Sequence, residues 1–132
     1  MDTTLAIGQS ARVAALEYSR VTAALRDSLP EFSNAIDEHV ADNDDVLPHV
    51  LFGDLTRFVL KANDDGDDEL VRRALSFLDG ALRDGDDGVQ NLVAVSFVEN
   101  VGPWDPSQAA FIESWPEALR LEAEQQRDWR PL

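Results

Sequence analysis

The chain has 132 residues, 44% of them hydrophobic, with no cysteine and with 26 Asp and Glu against 11 Lys and Arg, a formal net charge of −15. That length fits one domain able to bury a sizeable core without a metal or disulfide, and the apolar content is too high for a disordered chain. Lack of cysteine excludes a disulfide framework, thiol catalysis and cysteine-ligated zinc, and the acidity opposes contact with nucleic acid or an anionic membrane while favouring basic protein partners.

The start, Met1-Asp2-Thr3-Thr4-Leu5-Ala6-Ile7-Gly8, lacks the positive region and apolar core of a signal peptide. No stretch approaches the ~20 apolar residues of a membrane helix, so a cytoplasmic location is expected. Helical periodicity then recurs along the chain and strand alternation does not. A first helix is expected over roughly Ser10 to Leu29, with Ala14, Tyr18, Val21 and Leu25 on one face. A second begins near Pro30, a residue suited to a first helical turn. Phe32, Ala35, Ile36 and Val40 form its apolar face, and Asp42-Asn43-Asp44-Asp45 ends it.

A third helix is expected from Asp45–Pro48 to Ala62, with Leu51, Leu55 and Phe58 in one stripe. Asn63-Asp64-Asp65-Gly66 stops it. The fourth covers about Asp67 to Arg83. Val71, Leu75, Leu78 and Leu82 line it, Leu70, Ala74, Phe77 and Ala81 widen the stripe, and Asp79 falls on the polar side. A surface that wide packs on two neighbours. After Asp84-Gly85-Asp86-Asp87-Gly88, a fifth helix is expected from about Gly88 to Asn100, with Asp87 and Gln90 as a capping box. Its apolar middle, Leu92 to Val98, suits a buried central helix. Asp105-Pro106-Ser107-Gln108 starts another helix, and Ser114-Trp115-Pro116-Glu117 starts a last one running to about Arg127. The expected fold is all-α: a single domain over residues 1–132, an antiparallel bundle or helical-hairpin stack of six to seven helices.

In such packing alternate loops share an end. Asp42, Asp44 and Asp45 should therefore gather with Asp84, Asp86 and Asp87, and Asp64, Asp65, Asp67 and Asp68 should lie opposite. Acids at helix N-termini satisfy free amides, which accounts for one or two per loop but not three or four. The remainder marks candidate partner-binding residues. The competing explanation is solubility or adaptation to a salty cytoplasm.

Chemical motifs fail on inspection. An EF-hand loop needs acids at its first, third and fifth positions, Gly at the sixth and Glu at the twelfth. Aligning Gly66, Gly85 or Gly88 at the sixth puts Lys61, Gly80 or Arg83 first and Arg72, Asn91 or Ala94 twelfth. His39, on an apolar helical face, reads as a packed or capping residue. His49 follows Pro48, and the two histidines could meet near Asp45. No His-Glu-x-x-His, Gly-x-Ser-x-Gly or phosphate-binding Gly-rich loop occurs. No catalytic, cofactor or metal residues are therefore assigned. Among Trp104, Trp115 and Trp129, the first lies in a Gly-Pro-Trp-Asp turn. It is expected to be the most exposed, and an exposed Trp beside acids suits an interface anchor.

Two stretches carry a resemblance: His49-Val50-Leu51-Phe52-Gly53-Asp54-Leu55, and Asp68 to Asp79 continuing through Gly88 to Val101, with Ser96-Phe97-Val98-Glu99-Asn100 the most specific piece. Over about residues 30–115 the chain resembles an all-helical bacterial domain family of unknown function, with members among candidate immunity proteins of polymorphic toxin systems. The resemblance implies fold more strongly than function. Together with the acidity, it leads to the expectation of a non-enzymatic immunity or antitoxin-type protein. Its partner would be a basic toxin domain, in the first place a nuclease, met through Asp42, Asp44, Asp45, Asp84, Asp86, Asp87 and Trp104. The alternatives are a helical adaptor or scaffold with a peptide groove, and a small metal-dependent enzyme built on His39 and His49.

Overall fold

A computed structural model describes residues 16–129. Helix α1 is Val21–Ser28, entered through a 3-10 turn at Tyr18–Arg20. Helix α2 is Ser33–Asn43, entered through a similar turn at Pro30–Phe32. Then come α3, Pro48–Asp64, and α4, Asp68–Asp84. Helix α5 is one rod in three parts: Asp87–Val93, a π-helical turn at Ala94–Val98, and Glu99–Val101. Helix α6 is Ala109–Glu113, after a 3-10 turn at Pro106–Gln108, and α7 is Glu117–Trp129. The result is an all-α single domain of seven helices, with no strand among the described residues. None of the described helices is long and apolar enough to cross a membrane.

Local chemistry explains most of the boundaries. Pro30, Pro48 and Pro106 each sit in a first turn, where the missing N–H costs nothing. Asp44 ends α2 in the left-handed region, φ 60°, a conformation that short polar side chains tolerate better than aliphatic ones. Gly102, φ 91°, ends α5 in the same way. Asp86, rather than Asp87, is the N-cap of α5: its carboxylate accepts from Val89 N at 2.9 Å. The expected Asp87–Gln90 capping box therefore does not form: with the cap at Asp86 the third helical position is Val89, and the Asp86 N–H donates to Leu16 O instead.

Helix α4 is the hub, packing against α1, α3, α5 and α7. Its Leu70, Val71, Ala74, Leu75, Leu78 and Ala81 are buried, and Phe77 and Leu82 half-buried. The π-helical turn of α5 packs against α3 and α7. Each fully buried Leu or Phe here, such as Leu78, Leu92 or Phe97, contributes about 2 kcal/mol through removal of apolar surface from water. Trp115 closes one side of this core, its ring 5.6 Å from Phe97 and 5.5 Å from Phe111.

Three expectations are corrected. The first helix does not run unbroken from residue 10; Ser10 to Ala15 lie outside the described residues, and Glu17 is extended. Leu16 O accepts from Asp86 N at 2.9 Å, and Tyr18 N donates to Asp86 at 3.0 Å. Tertiary hydrogen bonds thereby take the backbone groups that a helix would have used. Asp79 is not on a solvated face: it is buried, accepting from Leu119 N at 3.0 Å and from Arg83 at 3.1 Å. It caps α7 from the body of another helix. The middle of α5 is helical as expected, but wound as a π turn. Glu99 N reaches Ala94 O, and side chains serve that turn's carbonyls: Gln126 donates to Ala94 O at 3.0 Å, Thr56 to Ser96 O at 2.9 Å and Asn100 to Ser96 O at 2.8 Å.

Candidate partner-binding surface

The two sequence stretches singled out as distinctive meet where α3 crosses α5. His49 Nδ1 and Ser96 Oγ are hydrogen-bonded at 2.6 Å. Thr56 Oγ1 reaches the Ser96 carbonyl from two turns further along α3. Between them, Gly53 lies against Asn100, whose Nδ2 would be 3.7 Å from a Cβ built at Gly53. Ser96 is only 4% exposed. Its hydroxyl and carbonyl therefore act as a fastening between helices, which fixes the direction in which α3 leaves the core.

The turn between α2 and α3 is fixed just as firmly. His39 is buried, and its Nε2 accepts from Leu47 N at 2.9 Å. Asn43 Nδ2 donates to His39 O at 2.8 Å. Asp45 accepts from the adjacent Val46 N at 2.7 Å. His39 thus holds the turn from within, and His49 binds Ser96; the two histidines engage different partners. No group of three or more His, Cys, Asp or Glu among the described residues could hold a metal ion.

Asp42, Asp44 and Asp45 project from this turn as exposed residues, and the first two have no hydrogen-bond or ion-pair partner among the described residues. Apolar side chains of the same hairpin stay open to solvent: Val40 at 37%, Leu47 at 44% and Val50 at 52%. Between α2 and α3 runs a groove of about 430 Å³. Phe32, Ala35, Val50 and Phe58 supply its apolar lining, Glu38, Asp42 and Asp54 its acids, and Arg57 and Lys61 its cations. Both cations are engaged, Arg57 by Asp54 and Lys61 by Asp65 at 3.1 Å.

The Asp84–Asp87 turn is different. Asp84 pairs with Arg83 at 3.1 Å. Asp86 accepts from Val89 N and Tyr18 N, and those backbone donors hold its carboxyl below the usual carboxylate range. Asp87 is exposed and lines a second groove of about 570 Å³ between α5 and α7, with Glu122, Leu121 and three amide side chains. Asp86 thus serves the fold and Asp84 is neutralised by its chain neighbour, roles that sequence reasoning could not separate from surface display. In the turn between α3 and α4, Asp67 caps α4 through Leu70 N at 3.4 Å and Asp65 holds Lys61.

Trp104 is 38% exposed, less than Trp129 at 81%, which reverses the expected order; Trp115 is buried. The Trp104 turn is closed by Asp105 N donating to Gly102 O at 2.9 Å. Asp105 in turn accepts from the Ser107 N–H and hydroxyl, each at 2.9 Å, and is held low by the same donors.

The class is therefore an acidic all-α domain whose polar contacts are spent on joining helices and closing turns. The chain belongs to a family described as a domain of unknown function, DUF7674, which matches residues 22–130. The match takes in α1 and α7, beyond the 30–115 span of the sequence resemblance. No curated protein and no solved structure matches the chain.

Proposed function

We propose that this chain is a binding protein of the immunity type: it neutralises a basic toxin domain, in the first place a nuclease, through its acidic surface. The observation that carries this reading is how charge is used. Arg26, Arg57, Lys61, Arg72, Arg73, Arg83, Arg120 and Arg127 are all committed to ion pairs within the chain. Meanwhile Asp42, Asp44, Asp64, Asp68 and Asp87 are exposed and form no ion pair among the described residues. Uncompensated like charge opposes the compact state unless a partner neutralises it. A cationic partner gains encounter rate from that field, and carboxylates set in its groove take the place of phosphates. The resemblance to candidate immunity proteins points the same way.

A helical adaptor binding a neutral peptide would want a groove with uncharged walls; the α2–α3 groove has acids and cations in its walls. The test is a pull-down with the tagged chain from its own organism at low and then high salt, followed by expression of any retained protein with and without the chain. The expected result is a basic protein released as salt rises, harmful alone and harmless when co-expressed. Retention of only neutral or acidic proteins, or a basic partner whose harm is undiminished by co-expression, overturns the reading.

A further inference from the structure

We infer that the α2–α3 groove and its turn form the docking surface, and that its occupant is a cationic amphipathic helix of the partner; this rests on the basic-partner reading above. Three features select that occupant. First, half-buried Ala35 and Phe58 form an apolar floor over the fully buried Phe32, and Val50 stands in the groove half-exposed. A purely basic, fully hydrated segment would leave that surface wet, whereas an apolar helix face covers it. Second, charge is graded along the groove. Glu38, Asp42 and Asp54 line it and Asp44 and Asp45 continue from its end, while Arg57 and Lys61 are already engaged by Asp54 and Asp65. Lys or Arg on the flank of an incoming helix therefore meets unpaired carboxylates at the turn end. Third, the surface is set before binding. The His39–Leu47 bond holds the turn and the His49–Ser96 bond holds α3, so little ordering is left to oppose association.

The dimensions agree. The 11 residues of α2 give a trough about 16 Å long, room for about three turns of helix. The furrow between α5 and α7 suits this occupant less well. Gln90, Asn91 and Gln125 line it, and of its two acids Glu122 already accepts from Gln126 at 2.9 Å, which leaves Asp87 alone to meet a cation.

The experiment uses the full-length chain, isotope-labelled, titrated with a synthetic helical Leu/Lys peptide of about 12 residues. A scrambled peptide of the same composition, without an apolar face, serves as control. Amide shifts are expected to concentrate on residues 32–61. The scrambled peptide and the exposed-site variant Val50→Ser should each weaken binding by about tenfold, with unchanged melting of the variant as the folding control. Shifts centred on the α5–α7 furrow, equal binding of both peptides, or unchanged affinity of Val50→Ser each overturn this docking surface and leave the basic-partner reading standing. No binding of either peptide at about 0.05 M salt likewise overturns this docking surface, while the basic-partner reading stands or falls by the pull-down.

Discussion

Removal of the Asp79 carboxylate tests how the last helix is attached. In the wild type, Oδ1 accepts from Leu119 N at 3.0 Å inside the core and Oδ2 accepts from Arg83 at 3.1 Å. Leu119 lies in the first turn of α7, where amides have no intrahelical acceptor, so its N–H depends on this one outside group. Asp79→Ala leaves that donor buried and unsatisfied. Loss of a helix cap costs about 1 kcal/mol, and stranding a buried donor raises the figure to about 2–3 kcal/mol. The Arg83 pair adds little, because Arg83 is 59% exposed. For a chain of this length that is a fall in melting temperature of about 10 °C. Asp79→Asn keeps an acceptor oxygen and should lose less than half as much. Urea denaturation followed by the fluorescence of buried Trp115 measures both, and amide exchange over α7 locates the effect. If Asp79→Ala falls within about 0.5 kcal/mol of wild type, the cross-helix cap is not what holds α7.

Two further outcomes follow from close contacts elsewhere. At Gly85, an added Cβ would lie 2.4 Å from the Ala81 carbonyl oxygen and 2.5 Å from Val89 Cγ1; because one obstacle is backbone, Gly85→Ala should cost about 2 kcal/mol or more in urea denaturation, and a neutral result would show that the α4–α5 turn yields freely. Glu31 is held down from 4.5 to about 2, chiefly by its hydrogen bond from Arg73. A carboxylate depressed in the folded state stabilises fully above its ordinary value and loses that contribution as pH falls through the folded value. The stability difference between wild type and Glu31→Gln should therefore be constant above pH 4.5 and shrink towards pH 2; a difference independent of pH across that window would refute the assignment.

Much of the architecture is legible in the chain itself, because helix signals are local. The prolines at 30, 48 and 106 open helical turns, and Asp44 and Gly102 end helices where the periodicity stops. The stripe on α4 is periodic enough to name its buried residues, from Leu70 to Ala81. The acidity follows from composition alone. What tertiary structure decided is wherever one element serves another. Asp79 reads as a polar-face residue until Leu119 N is placed above it. Leu16 and Glu17 read as helix until Asp86 captures the Leu16 carbonyl and the Tyr18 N–H. The π turn at Ala94–Val98 has no local signature, since Thr56 and Gln126, distant in the chain, serve its carbonyls. The acids divide on the same ground. Asp42 and Asp86 are chemically identical, but one faces solvent and the other caps a helix and binds Tyr18 N. Hydrogen bonds between residues far apart in the chain leave no periodicity behind them, so only their meeting in space distinguishes a carboxylate that builds the fold from one left exposed at the surface.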